Sequence, residues 1–282
     1  MSWNVYRVVL RLSGPMHIGR SKIGNLQRTR HYVTGRTLWG ALTMRITRQM
    51  AGPTASDYVD IGQQVHEQLA FTYLFLTTDR TGQSEPAWPW EEAAALSFSS
   101  QFVGSHAGTA LQAAGQSAEA NTLHEIEQLL PYERNGAAVY LCGHMFERDD
   151  VNGAAAGWRQ ALGQIQLGGE RSYGWGRVRP VLIEAMDTQA DGLGLFNRED
   201  VRVQTNGERP IVQLVAGAPL PAHTKAKAGA AISGEIEPLV GRIWQDGDGR
   251  GIEYSGMCFL PGSRVEEDST FEIGRFGLWS AV

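Results

Sequence analysis

The sequence predicts an α+β fold: a ferredoxin-like core, followed by a β-rich C-terminal extension. Two observations carry this expectation. Strand-like and helix-like segments follow one another in the order β-α-β, α-β up to about residue 186. Beyond that point short β-like runs alternate with turns. The expected organisation is a core over residues 1–185, with an inserted segment around 80–121, and a β-rich region over 186–282.

Each element has a local reason. Residues 3–12, WNVYRVVLRL, partly alternate and are rich in β-branched and aromatic side chains, which predicts a strand. Residues 13–25 hold three glycines and a proline and read as a loop. In residues 38–50, Leu38, Ala41, Leu42 and Ile46 approximate a helical repeat, with Thr37 as the expected N-cap. Residues 61–76 predict a second helix running into a strand. The stretch 103–121 is poor in large apolar residues and reads as exposed. Residues 122–130 predict a helix, 136–146 a strand, 154–166 a short helix closed by Gly168 and Gly169, and 177–186 a strand. Turns such as DGLG, QDGDGRG and LPGS punctuate the remainder.

Composition narrows the function. No run of about 18 apolar residues exists, so no membrane span is expected. The opening apolar run is short and broken by Arg7 and Arg11, which excludes a secretory signal. Cys142 and Cys258 stand apart with no CxxC, which argues against a disulfide scaffold or a thiolate metal site and for a cytoplasmic location. The formal net charge is −5, yet residues 1–50 carry nine basic side chains and no acidic one. One basic face on an acidic body suits a phosphate chain. Arginine makes up 22 of the 25 basic residues, and its planar fork can hold phosphate through two bonds. GC-rich coding also raises arginine content, but it does not explain the clustering.

The strongest local feature is Gly168-Gly169-Glu170-Arg171-Ser172-Tyr173-Gly174-Trp175-Gly176-Arg177. Glycines let a backbone approach a sugar-phosphate chain, arginines neutralise it, and Tyr173 and Trp175 can stack on bases. The same aromatics can equally plug a core beneath a tight turn. If the loop ran on as a strand, Tyr173 and Trp175 would share one face, with Gly174 and Gly176 on the other. Neither a Walker loop nor a dinucleotide fingerprint is present. Other constellations carry less. Cys142-Gly143-His144 reads as a buried strand, and Trp88-Pro89-Trp90 as an aromatic plug of the core. Asp246-Gly247-Asp248-Gly249 reads as a hairpin turn, because Arg250 and Met257 stand where calcium ligands would be needed. No cofactor and no metal is expected.

Three stretches together resemble the RAMP superfamily of CRISPR effector proteins. They are the first strand running into Pro15–Gly19, the segment YVTGRTLWGAL (Tyr32–Leu42) opening a helix, and GGERSYGWGRV (Gly168–Val178). Their order matches that family over residues 1–180. The resemblance implies an RRM-like core that binds CRISPR RNA through its backbone, alongside other RAMP subunits and a large polymerase-like subunit. The RNA-facing candidates it marks are His17, Arg20, Lys22, Arg28, Arg30 and Arg36. From the glycine-rich loop come Gly168, Gly169, Arg171, Tyr173, Gly174, Trp175, Gly176 and Arg177.

Family members that cut target RNA carry an aspartate after the first strand, whereas residues 13–36 hold no Asp or Glu here. Processing endoribonucleases place the glycine-rich loop near the chain end, whereas about 100 residues follow it here. The resemblance therefore points to a non-catalytic type III subunit that caps the complex and grips the 5′ handle of the CRISPR RNA. The alternatives are a backbone subunit along the guide, or a metal-independent endoribonuclease with His17 or His31 as general base.

Overall fold

The structure is a computed structural model and describes residues 1–115, 117–187, 192–227, 230–243 and 251–282, the side chains of 92–94 excepted. The first half opens with strand β1 (Trp3–Leu12), the hairpin strands β2 (Gly19–Ile23) and β3 (Leu26–Thr29), and β4 (Tyr32–Val33). Helices α1 (Gly35–Arg48) and α2 (Ala55–Gln68) then lead to β5 (Leu69–Phe71) and β6 (Leu74–Thr77). Helix α3 (Glu92–Phe102), β7 (Val103–Gly108) and β8 (His124–Leu129) follow, and β9 (Tyr140–Arg148), α4 (Trp158–Leu162) and β10 (Val178–Met186) complete this half.

The main sheet has the order β10–β1–β9–β6–β4, antiparallel throughout, with β5 also pairing β9. Two β-α-β units thus interleave, one inserting its strand between the two strands of the other, which is the ferredoxin-like arrangement. Along β1, Val8, Leu10 and Leu12 pack with Leu38, Leu42, Val65 and Leu162 of the helices. Trp3 and Val5 belong to a second core with Phe75, Phe146, Phe196, Val212 and Phe271. The period of two in a strand divides these residues between the two faces. Helices cover one face of the sheet, and the C-terminal β-region covers the other.

That region contributes β11 (Leu193–Gly194), β12 (Val201–Gln204), β13 (Ile211–Leu214), β14 (Thr224–Lys225), β15 (Ile232–Ser233), β16 (Ile236–Ile243), β17 (Gly251–Phe259), β18 (Arg264–Val265), β19 (Ser269–Ile273) and β20 (Trp279–Ala281). Eight of them form one sheet, in the order β11–β12–β13–β19–β20–β14–β17–β16. The turn expected at Asp246–Gly249 lies outside the described residues; on either side of it β16 and β17 pair antiparallel, Ile243 opposite Gly251. Trp88 is buried and stacks on Trp90 at 5.1 Å, as an aromatic plug should. Cys142 and His144 are buried on β9, where burial pushes the Cys142 thiol up to about 12.

Three local expectations are corrected. Thr34, not Thr37, caps α1: its extended backbone puts its hydroxyl within reach of the Thr37 N–H, which donates to it at 3.4 Å. Residues 124–129 are a strand, not a helix. Ile126 and Leu129 sit three apart and mimic a helical repeat, but pairing with β7 and β3 overrides it. The glycine-rich loop is not a strand: residues 171–173 form a 3-10 turn, with Glu170 and Gly174 on either side in the left-handed region. Alternation therefore does not place Tyr173 with Trp175.

Candidate functional site

A cleft of about 860 Å³ opens between α1, the glycine-rich loop and β16. Its lining includes Arg30, Arg36, Arg48, Arg171 and Arg242 and, among the described residues, no Asp or Glu. Five guanidinium groups stand around one concavity, whose low-dielectric walls concentrate the field of those left unpaired. Segments distant in sequence meet here because α1 starts under the C-terminal strands. A Cβ on Gly35 would come within 2.2 Å of the Phe276 oxygen, so only glycine lets the turn at 275–277 pass over the helix start. Phe276 in turn lies beneath Arg36, whose guanidinium carbon is 3.6 Å from the ring centre.

The five arginines are not equivalent. Arg30 pairs with Glu237 at 2.6 Å, and Arg36 pairs with Glu253 at 3.0 Å and also donates to the Ser255 hydroxyl. Both carboxylates stand behind the cleft wall and cancel most of these two charges. Arg36 nevertheless keeps two shielded donors, Nε and Nη1, with no hydrogen-bond partner among the described residues. Arg48, Arg171 and Arg242 have no carboxylate within ion-pair distance among the described residues. The Arg171 guanidinium donates to the Met44 sulfur at 3.3 Å. These three supply most of the cleft's uncompensated charge.

A buried polar chain anchors the wall behind Arg30. Glu237 accepts from Arg30 and bonds His223 Nε2 at 2.8 Å, while His223 Nδ1 meets the Tyr73 hydroxyl at 2.8 Å. Burial alone would raise the Glu237 carboxyl, but the His223 hydrogen bond and the Arg30 charge hold it at about 2. The chain ties the connections that lead into β4 and β6 of the first sheet to β16 and the connection into β14 of the second.

The sequence candidates fall into three groups. Arg30, Arg36, Gly168, Gly169 and Arg171 line the cleft. His17 is only 6% exposed; its Nδ1 bonds the Glu127 oxygen at 2.8 Å, and its own carbonyl accepts from the Gly169 N–H at 2.9 Å. Arg28 pairs with Glu127 at 3.3 Å, while Arg20 and Lys22 are exposed on β2. Around the rest of the loop, Tyr173 is 78% exposed and so plugs no core. Trp175 is half-buried, 6.1 Å from the His106 ring, and Arg177 is exposed.

Two loop glycines are demanded by packing. A Cβ on Gly168 would stand 2.2 Å from the His17 oxygen, and one on Gly176 would stand 2.0 Å from the Leu167 oxygen. Gly176 also donates to the Pro15 oxygen at 2.6 Å and accepts from Leu167 at 2.9 Å. These contacts clamp the glycine-rich loop onto the segment that follows β1. Gly174 has a positive φ of 84° but open space around it.

Sequence reasoning missed Arg48, Arg242, Glu237, Glu253 and Phe276. Arg48 sits in the basic first fifty residues, and that clustering was a usable signal. The other four lie in a region without a motif and reach the cleft or the wall behind it only through tertiary pairing.

No family model matches the chain, and no curated protein matches it. Among solved structures it is similar to a chain of the type III-B Cmr-β complex bound to cognate target RNA and AMPPnP, determined by cryo-EM in its state 1. The TM-score is 0.51 at 12% identity, covering 92% of this chain and 86% of that one. A chain from the same kind of complex bound to cognate target RNA gives a TM-score of 0.48 at 13% identity, with the same shares covered. At such identity the likeness shows the fold alone.

Proposed function

We propose that the chain is a CRISPR RNA-binding subunit of a type III effector complex, gripping the 5′ handle and capping the assembly without cutting RNA. The observation that carries this is the five-arginine cleft with no carboxylate in its lining among the described residues, built from the helix start and the glycine-rich loop. A single RNA strand laid in it would find guanidinium donors for its phosphates. The fold it shares with a chain of a target-RNA-bound type III-B complex supports the same reading. Its partners would be the neighbouring RAMP subunits and a large polymerase-like subunit. Among the described residues, no helix is long and apolar enough to cross a membrane.

The test is binding of two RNAs of equal length by fluorescence anisotropy, one starting with the repeat-derived handle and one carrying guide sequence only. Tighter binding of the first by tenfold or more is expected. Equal affinities would favour a backbone position along the guide. A discrete metal-independent cut in the handle RNA would overturn the non-catalytic assignment.

A further inference from the structure

The hairpin of β16 and β17 turns one face to the protein and the other to solvent. Inward, Leu239 and Cys258 pack with Leu278, while Glu253 and Ser255 hold the Arg36 guanidinium. Outward, the register sets Val240 opposite Tyr254, Pro238 opposite Met257 and Arg242 opposite Ile252, with Ile236 next along β16. The alternation of a strand gathers these side chains on one side, and the register shift beside Val240 keeps Tyr254 and Met257, three apart, in phase. Ile236, Val240, Ile252, Tyr254 and Met257 are between 45% and 72% exposed, and Pro238 and Arg242 are exposed as well. Six apolar side chains thus stand together in water with one arginine and, among the described residues, no acid.

Size, composition and charge select the occupant. Half-exposed side chains of this kind leave on the order of 300 Å² of apolar surface in water. A contiguous patch of that order marks an interaction site on a monomer. It suits the apolar core of a standard protein interface, which covers about 800 Å² on each partner and so needs a folded surface around it. A tyrosine, a methionine and an arginine without lysine or acid is also the composition of such a core. RNA suits the face poorly, since Arg242 is its one cation and already lines the cleft. β16 is the free edge of its sheet, but Pro238 lacks a backbone donor, so the face rather than the edge is the docking element. A second copy is disfavoured by charge. Val240 and Arg242 also line the cleft, so two copies joined face to face would bring two clefts together, and each holds three arginines without an ion-paired carboxylate among the described residues.

Resting on the reading of the chain as a subunit of an effector complex, we propose that the outer face of the β16–β17 hairpin docks a neighbouring subunit of different sequence. That partner presents an apolar surface over the hairpin, free of lysine and arginine at the Arg242 end, while the inner side of the hairpin borders the RNA cleft. The test is assembly of the full chain with the other purified subunits of its complex and the handle RNA, wild type against Ile252→Thr/Tyr254→Thr. Threonine keeps the strand preference, and neither position lines the cleft. The double variant should melt like wild type and bind the handle RNA with unchanged affinity. Its concentration for half-maximal incorporation should rise by about tenfold or more, as for loss of an interface tyrosine. In the assembled wild-type complex, amide hydrogen exchange over 236–243 and 251–257 should slow relative to the free chain.

Normal incorporation of the double variant, or unchanged exchange across the hairpin on assembly, overturns the proposal. A variant that loses affinity for the RNA itself assigns the face to RNA and overturns it too. So does a dimer of the free wild-type chain in sedimentation that the variant abolishes, which assigns the face to a second copy. A wild-type chain that assembles through the hairpin but binds no handle RNA overturns the cleft reading and leaves this one standing. One that binds the RNA yet joins none of the subunits overturns this proposal alone.

Discussion

Replacing the loop glycines by alanine separates their structural duty from any role along an RNA path. Gly168, Gly174 and Gly176 all have positive φ, at 85°, 84° and 73°. Each alanine therefore carries a conformational cost of roughly 1–2 kcal/mol. The space around them differs. A methyl added at Gly174 would meet no heavy atom within 4 Å, whereas one at Gly176 would be pressed to 2.0 Å from a backbone oxygen. That clash cannot be relieved by a side-chain rotation, because the atom belongs to Leu167, whose N–H is bonded back to Gly176. Forced backbone shifts of this kind add about 1–3 kcal/mol. Gly174→Ala should then cost about 1–2 kcal/mol and Gly176→Ala about 2–5 kcal/mol, with Gly168→Ala near the latter. Urea unfolding followed by circular dichroism reads the difference directly. Equal losses at 174 and 176, or a Gly176→Ala protein as stable as wild type, would refute the clamp. Because nothing crowds Gly174, a variant there can be tested for RNA binding while remaining folded.

Other expectations follow from the buried groups. Glu237→Gln should destabilise the chain by about 3 kcal/mol in chemical denaturation, the low end for removing one partner of a buried pair, since the neutral amide leaves the Arg30 guanidinium without its counter-charge. Stability should also fall with acid. Burial lowers His66 and His144 to about 3 each, so the unfolded chain binds their protons first and stability is lost as pH drops from about 6.5 towards 3. Together they give a slope of up to about 2.7 kcal/mol per pH unit in that window. Glu237 acts lower: its contribution is complete above about pH 4.3 and is lost as pH falls through about 2. A flat stability between pH 6 and 5 would contradict the neutral buried histidines. Tyr173→Ala, at an exposed side chain, should change stability by no more than about 0.5 kcal/mol.

Much of the core was legible because its signals are local. β1 and β10 occupy nearly the residues their composition marks, and α1 begins at a threonine within the segment that announced it. The misreadings have local causes too. Thr37 is a good cap residue one turn too late, and 124–129 carries helical spacing but becomes a strand through its neighbours. Half of the cleft could be found from the basic loop, the helix start and the glycine-rich loop. The other half could not, because Arg242 and Phe276 come from a β-region whose alternation marks strands but not which faces meet. Charge cancellation was equally hidden: Arg30 and Arg36 look like phosphate ligands until Glu237 and Glu253, more than 200 positions away, are seen beside them.

The central claim is that RNA phosphates lie in the arginine cleft, and its most direct test is the salt dependence of binding in a chain lacking Arg48, Arg171 and Arg242. Each phosphate contact to a single strand contributes about 0.7 to the slope of log K against log salt concentration. Replacing the three by alanine should therefore lower the slope by about 2, with folding intact, since none has a carboxylate partner among the described residues. A slope equal to that of wild type, in a folded protein that still binds the handle RNA, would place the RNA elsewhere on the molecule.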